Sequence, residues 1–289
     1  MRMSAGSSYG WWRRRTLIEP GALDGPGRAA GGAGGDVSDR LRGAVALVTG
    51  ASSGIGEATA VALAEQGAAV AVVARRTDRL AAVAERIRAR GGPALAIAAD
   101  ITDEARAREA VEHTVHELGR LDILVNNAGV MLLGPVEEAR TADWRRMVEV
   151  NLLGLLYCAH AALPHLLRAA GDGPRNVADL INVSSVAGRV TRPGSAAYNA
   201  TKHGVGAFSD ALRQEVADRG VRVSLIEPGL VATELVSHNP PEIREASRRR
   251  FAGVEPLRPE DIAEAIAFMV TRPRRATVAE LMIRTTSRE

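Results

Sequence analysis

Seven short stretches of this chain are apolar almost from end to end, and longer stretches with helical spacing separate them. The apolar stretches are Ala44–Val48, Ala69–Ala74, Ala94–Ala98, Leu121–Val125, Leu180–Ser184, Val221–Ile226 and Leu281–Ile283. A strand with one face in water alternates apolar and polar residues, whereas an unbroken apolar run marks a strand covered on both faces. The stretches between them, Gly54–Gln66, Thr77–Arg90, Asp103–Leu118, Thr141–Ala169, Ala196–Asp218 and Pro259–Thr271, read as helices. Several stop at a glycine (Gly67, Gly91, Gly119, Gly220), the residue that most often ends a helix. Strand–helix repetition of this kind needs right-handed crossovers, which lay helices on both faces of a parallel sheet. The expected fold class is α/β: one doubly wound domain with a seven-stranded parallel sheet and helices on both faces.

This pattern begins at Gly43. Residues 1–42 are rich in Gly and Arg and show no lasting periodicity, so they are expected to be a disordered N-terminal extension to a domain spanning 43–289. Charge divides the same way. Seven arginines against four acids give residues 1–42 the chain's whole net charge of +3, which leaves 43–289 neutral. A neutral domain has no field to hold a phosphate backbone, and no nucleic-acid partner is expected. No stretch approaches the roughly 20 apolar residues of a membrane helix, and no apolar segment of a signal peptide follows Arg13–Arg15. A single cysteine, Cys158, rules out an intrachain disulfide. Together these features lead to an expected cytoplasmic localisation with no membrane partner. The chain also lacks an H-x-E or C-x-x-C cluster, so no metal is expected.

Directly after the first strand comes Thr49-Gly50-Ala51-Ser52-Ser53-Gly54-Ile55-Gly56, and a helix follows. Glycines at such a turn let the backbone approach a pyrophosphate, and the helix N-terminus directs amide donors at it. Gly56 would let the helix pack closely on the sheet. Three further motifs fall in order: Asn126-Asn127-Ala128-Gly129 after the fourth strand, Tyr198-Asn199-Ala200-Thr201-Lys202, and Pro228-Gly229 after the sixth strand. With these motifs the chain resembles the short-chain dehydrogenase/reductase family over about residues 43–289. That resemblance implies a Rossmann-type fold and a nicotinamide cofactor. It places Gly50, Ser52, Ser53, Gly54, Ile55, Gly56, Ala128, Gly129, Pro228 and Gly229 at the cofactor, with Asp100 and Ile101 beside the adenine. Asn127 would help shape the nucleotide site, and Thr233 would lie near the carboxamide.

The choice of cofactor is read at the end of the second strand, where a carboxylate selects NAD by binding the ribose 2′-hydroxyl. Here the residues are Ala74-Arg75-Arg76, and the nearest acid is Asp78. With no carboxylate to repel a 2′-phosphate and Arg75 placed to pair with it, NADP (NADPH) is expected ahead of NAD.

Carbonyl reduction needs a hydride, a proton donor and a group to hold the oxygen. Tyr198 and Lys202 are four apart in a predicted helix, so they share a face one turn apart. A neighbouring cation lowers a phenol from its ordinary value near 10, and Lys202 is expected to do so for Tyr198. Composition adds weight: of the 37 basic residues, Lys202 alone is lysine and 36 are arginine. A lysine that survives such a bias marks a place where a compact, tunable ammonium is needed and a guanidinium will not serve. The resemblance makes Ser185, thirteen residues before Tyr198, the holder of the substrate oxygen. Asn151 sits in a predicted helix, where asparagine is disfavoured. Its family role is to hold a water linking Lys202 to solvent. The implied catalytic set is Asn151, Ser185, Tyr198 and Lys202.

Substrate specificity is expected from a lid over about 234–255, which contains the run Arg248–Arg250. That run could greet an acidic substrate or simply form a solvated face. Met131–Val136, Ala187-Gly188-Arg189 and Thr277–Glu280 resemble the branch with clavulanate-type aldehyde reductases and 3-hydroxy acid dehydrogenases, which implies a small aldehyde, ketone or 3-oxo acid as partner. Gly171–Asn176 is expected to be a surface loop. Two other readings stay open: an NAD-dependent alcohol dehydrogenase of the same family, and an NADP-binding sensor without turnover. The resemblance also implies a homodimer or homotetramer formed through helices around 141–169 and 196–218.

Overall fold

The computed structural model describes residues 39–287. Its sheet has seven parallel strands in the order β3-β2-β1-β4-β5-β6-β7. The strands are β1 Val45–Thr49, β2 Ala69–Ala74, β3 Ala94–Ala98, β4 Ile123–Asn126, β5 Ala178–Val183, β6 Val221–Pro228 and β7 Glu280–Ile283. Helices α1 Gly54–Glu65, α2 Thr77–Ala89, α3 Glu104–Leu118, α4 Thr141–Val148, α5 Gly154–Asp172, α6 Ala196–Val216, α7 Pro241–Arg250 and α8 Pro259–Val270 connect or follow them. This is the α/β, doubly wound Rossmann-type architecture.

Successive strand residues point to opposite faces, and both faces are buried. In β1, Ala46 and Val48 join the core under α1, α2 and α8, while Leu47 joins the core under α3, α5 and α6. In β2, Val70 and Val72 face the first core, and Ala71 and Val73 the second. Unbroken apolar strands follow from this geometry, because no strand position near the centre of the sheet faces water. Each fully buried Val, Leu or Ile contributes about 1.5–3 kcal/mol of transfer free energy.

The helix ends follow from local chemistry. Asp103 caps α3 by accepting from the Ala105 and Arg106 amides, and Gly119 ends it at φ 84°. The run expected as one helix over 141–169 is instead interrupted by a π-helical turn at Glu149–Leu153 between α4 and α5. The segment Thr141–Asp172 also corrects the reading that no stretch has the length and apolarity of a membrane span: by those two criteria it qualifies. Its apolar side has a different destination here. Cys158, Ala159, Ala162 and Leu166 are buried in the second core, and burial pushes the Cys158 thiol up to about 12.

Three boundaries differ from the sequence reading. Residues 1–38 of the expected extension lie outside the described residues, and 39–42 pack on the domain. There Leu41 is fully buried and donates its amide to the Gln66 carbonyl. The connection at 171–176 is no simple surface loop. Helix α5 continues to Asp172, Gly173 is buried, and the nearly buried Arg175 bonds Asp179 at 2.7 Å. Finally, the expected lid contains the helix α7.

Candidate active site

A cavity of about 820 Å³ opens at the carboxyl edge of the sheet, where the strand order reverses between β1 and β4. Open α/β sheets bind ligands at that reversal, because the loops leaving the two strands diverge there. Of the catalytic and cofactor-binding residues named from the sequence, all but Gly56 and Asn151 line this cavity.

One end is the glycine turn. Buried Thr49 ties it to β4: its hydroxyl accepts from the Asn127 and Ala128 amides at 3.0 and 3.2 Å. The Asn127 side chain returns the contact, donating to the Thr49 carbonyl at 3.0 Å. Gly56 lies behind the turn rather than in the cavity. A Cβ there would sit 2.4 Å from Asn127 Nδ2 and 2.5 Å from the Gly50 carbonyl oxygen. Gly50 has φ +65°, and a Cβ on it would come within 2.7 Å of Ala128 Cα. The turn is therefore as close to β4 as backbone allows, and the first turn of α1 faces the open space.

Two arginines follow β2. Arg75 is 59% exposed and lies 3.8 Å from Asp100. Arg76, not singled out in the sequence, is more deeply engaged. Its Nε and Nη2 donate to Ser52 Oγ at 3.1 and 2.9 Å, Nη2 also to Ser53 Oγ at 2.7 Å, and Nη1 to Glu234 at 2.9 Å. Adjacent residues at a strand end point to opposite sides, so only one of the pair could reach over the serines.

The other end holds Tyr198 and Lys202, each 5% exposed, on α6. Lys202 Nζ lies 5.9 Å from the centre of the Tyr198 ring and donates to the Val183 carbonyl at 2.9 Å. Burial holds the Lys202 ammonium down at about 8. Tyr198 corrects an expectation. Burial pushes its phenol up to about 12, partly offset by hydrogen bonding with the Ser185 hydroxyl, and Lys202 does not pull it down. With its own value held at about 8, Lys202 is already neutral at the pH where a phenol at about 12 ionises, so it offers that phenolate no charge. Ser185 caps the short turn Val186–Gly188 through the Ala187 amide at 3.1 Å.

Asn151 sits in the π-turn behind the cavity, 1% exposed. Its Oδ1 accepts from the Val130 amide at 2.7 Å, and its Nδ2 donates to the Val130 carbonyl at 2.9 Å and to Thr201 Oγ1 at 3.2 Å. The side chain thus joins the β4 exit loop to α6. An asparagine in a helix interior is explained by this bulge, a device often found at functional sites.

Two buried asparagines carry weight that the sequence reading missed. Asn199 Nδ2 donates to the Ala187 and Val190 carbonyls at 2.6 and 3.1 Å, fixing the loop that follows Ser185. Asn239, 4% exposed, accepts from the Leu133 amide at 2.7 Å and donates to the Met131 carbonyl at 2.8 Å. It pins the lid segment to the far wall. A signal was available for Asn199, a polar residue inside a predicted helix that must be satisfied internally if buried; Asn239, between His238 and Pro240, carried none. Of the run Arg248–Arg250, only Arg250 reaches the cavity, in a helical series with Ile243, Ala246 and Ser247. Among the described residues, no cluster of three or more His, Cys, Asp or Glu side chains could hold a metal ion.

Comparison with known proteins gives a consistent picture. The sequence profile described as short chain dehydrogenase matches residues 44–243. An uncharacterized oxidoreductase of Methylorubrum extorquens is 40% identical over 248 residues, 84% of this chain and 96% of that protein. An alcohol dehydrogenase from the archaeon Thermococcus sibiricus, complexed with 5-hydroxy-NADP, superposes with a TM-score of 0.75 at 30% identity, covering 85% of this chain and 98% of that one. A 3-ketoacyl-(acyl-carrier-protein) reductase from Brucella melitensis, complexed with NADH, also has a TM-score of 0.75, at 35% identity over 84% and 97% of the two chains.

Proposed function

This chain belongs to the short-chain dehydrogenase/reductase family, and from that premise we propose that it is an NADPH-dependent oxidoreductase. It interconverts a small aldehyde, ketone or 3-oxo acid and the corresponding alcohol, with Tyr198 as general acid/base. One observation carries this reading: the same cavity has a glycine turn flanked by two arginines at one end and the buried Tyr198–Lys202 pair beside Ser185 at the other.

The residues present fit the cofactor. Gly50 and Gly56 let the turn lie directly against the β4 exit, where a Cβ on either would strike Asn127, Ala128 or the Gly50 carbonyl, so that the start of α1 faces the cavity. The side chains offered at the end of β2 are Arg75 and Arg76, which favour a phosphorylated ribose. Gly50 through Ile55 would hold the pyrophosphate, Asp100 and Ile101 would flank the adenine, and Asn127 through Gly129, Pro228, Gly229 and Thr233 would line the nicotinamide end. When bound, NADPH supplies the hydride, and its oxidised form accepts one.

The chain's own residues do the rest. Ser185 would hold the substrate oxygen in hydrogen-bond reach of Tyr198. A phenol pushed up to about 12 is fully protonated at neutral pH, so Tyr198 stands ready to donate a proton as the oxygen gains charge. That state suits reduction. Lys202 would position Tyr198 and resupply its proton, and Asn151 would keep the β4 exit loop in register with both. The segment 234–255 would close over the substrate.

The test is NADPH oxidation at 340 nm against a panel of small aldehydes, ketones and 3-oxo acids, with NADH in parallel. Replacing Tyr198→Phe removes the transferable proton and should cost about 10²–10⁴-fold in turnover while leaving NADPH binding within a few-fold. A Tyr198→Phe protein with wild-type turnover would overturn the mechanism.

A further inference from the structure

Arg76 and Glu234 link the phosphate end of the cavity to the start of the lid, and the chemistry of that link suggests how it is broken. Glu234 opens the turn Glu234–His238. One of its oxygens takes Arg76 Nη1 at 2.9 Å and the other takes Arg79 Nη1 at 2.6 Å. Arg76 and Arg79 hold its carboxyl down at about 2, so it stays charged at any working pH. Nε and Nη2 of Arg76 rest on Ser52 and Ser53. Two serine hydroxyls and a guanidinium on one spot are what a phosphate monoester recruits. In this structure a carboxylate of the protein itself completes that set.

We propose that Glu234 acts as an internal stand-in for the cofactor's 2′-phosphate, competing with it for Arg76, so that NADP binding displaces Glu234 from Arg76, leaves it on Arg79 alone and loosens the first turn of the lid. This rests on the NADP reading above. Three observations support it. The phosphate carries about −1.5 to −2 charge and three acceptor oxygens against one charge and two oxygens for Glu234, so it is the stronger partner for a forked donor. The existing ion pairs are weak enough to exchange, since Arg76, Arg79 and Glu234 are each 42–47% exposed. Displacement also has a route to the lid. Thr233, the neighbour of Glu234, packs on the turn, where a Cβ on Gly54 would sit 3.1 Å from Thr233 Cγ2. On the other side the chain passes through Asn239 into α7. Glu234 would therefore set the affinity for the phosphorylated cofactor without itself holding the cofactor.

The experiment measures binding of adenosine 2′,5′-bisphosphate and of 5′-AMP by titration calorimetry to the full chain and to Glu234→Gln, with hydrogen exchange followed over 234–250. Removing the competing charge should tighten the bisphosphate about five- to tenfold, the lower end of usual coupling between sites, and leave 5′-AMP within twofold. In the wild-type chain the bisphosphate should speed exchange at 234–238, whereas 5′-AMP should not. A Glu234→Gln protein that binds the bisphosphate equally well or less well overturns the proposal, because Glu234 would then merely orient Arg76. If the wild-type chain shows no preference for the bisphosphate over 5′-AMP, the NADP reading fails and takes this proposal with it. A preference that Glu234→Gln leaves untouched refutes the stand-in alone.

Discussion

Replacing Asn151→Ala probes the joint between the cofactor loop and the catalytic helix. The side chain is 1% exposed and makes three hydrogen bonds, two of them to the backbone of Val130. Alanine leaves the Val130 amide and carbonyl buried without partners, and each orphaned group costs about 1–3 kcal/mol. Thr201 Oγ1 loses a donor but still donates to the Tyr198 carbonyl at 2.8 Å, so its loss adds little. The sum spans about 2–6 kcal/mol, and about 3 kcal/mol is expected if the loop partly relaxes toward water. For a domain of this size, each kcal/mol moves the midpoint by about 2–4 °C, so thermal unfolding should fall by roughly 6–12 °C. Thr201→Val, which removes the third bond and the Thr201 bond to the Tyr198 carbonyl but leaves Val130 paired, should cost about 1 kcal/mol and a third of that shift. Differential scanning calorimetry of the three proteins reads both values. A functional consequence is expected too, because a Cβ on Gly129 would stand 3.4 Å from Asn151 Oδ1 and 3.9 Å from Lys202 Nζ. A loosened Val130 therefore loosens the ground beside Lys202. An Asn151→Ala protein melting within 2 °C of wild type would show that the bulge is held by something other than this side chain.

Gly56→Ala should keep the fold at an overpacking cost of about 1–3 kcal/mol but weaken NADPH at least tenfold. A Cβ 2.5 Å from the Gly50 carbonyl oxygen forces the phosphate turn off β4; a fluorescence titration with wild-type affinity would contradict that. As the single lysine of the chain, Lys202 labelled at 13Cε gives one resonance, and in the free protein its midpoint should lie near 8 instead of the ordinary 10.5. The linkage has a definite sign. Between about 8 and 10.5 the unfolded chain binds more protons at this site, so the contribution of Lys202 to stability rises with pH. Tyr198 does the opposite at higher pH: raised from 10.0 to about 12, it makes stability fall as pH rises between those two values. A Lys202 midpoint at 10 or above would mean that burial does not control its charge.

What the sequence could show, and what it could not, divides along physical lines. The strands were legible because each sheet position is a one-residue decision about burial: a strand with helices on both faces has no polar slot, as Leu47 between Ala46 and Val48 shows. The glycine turn was legible for a similar reason, since clearance under 3 Å admits no side chain at Gly50 or Gly56 whatever lies elsewhere. Lys202 stood out through composition alone. Helix α7 was hidden because Pro241–Arg250 carries only two apolar residues, Ile243 and Ala246, and its cavity-facing series mixes those with Ser247 and Arg250. The choice between Arg75 and Arg76 depends on which side of β2 the chain leaves, a question of a single strand residue that propensity does not decide. The Tyr198 phenol exposes the deepest limit. Spacing alone says that a cation stands one turn away, and from that the acidity should rise. Yet burial acts on both partners at once, raising the tyrosine and lowering the lysine so far that it is neutral where the tyrosine ionises. A sequence motif records which groups meet; how far each is shifted depends also on how much water the fold removes from around it.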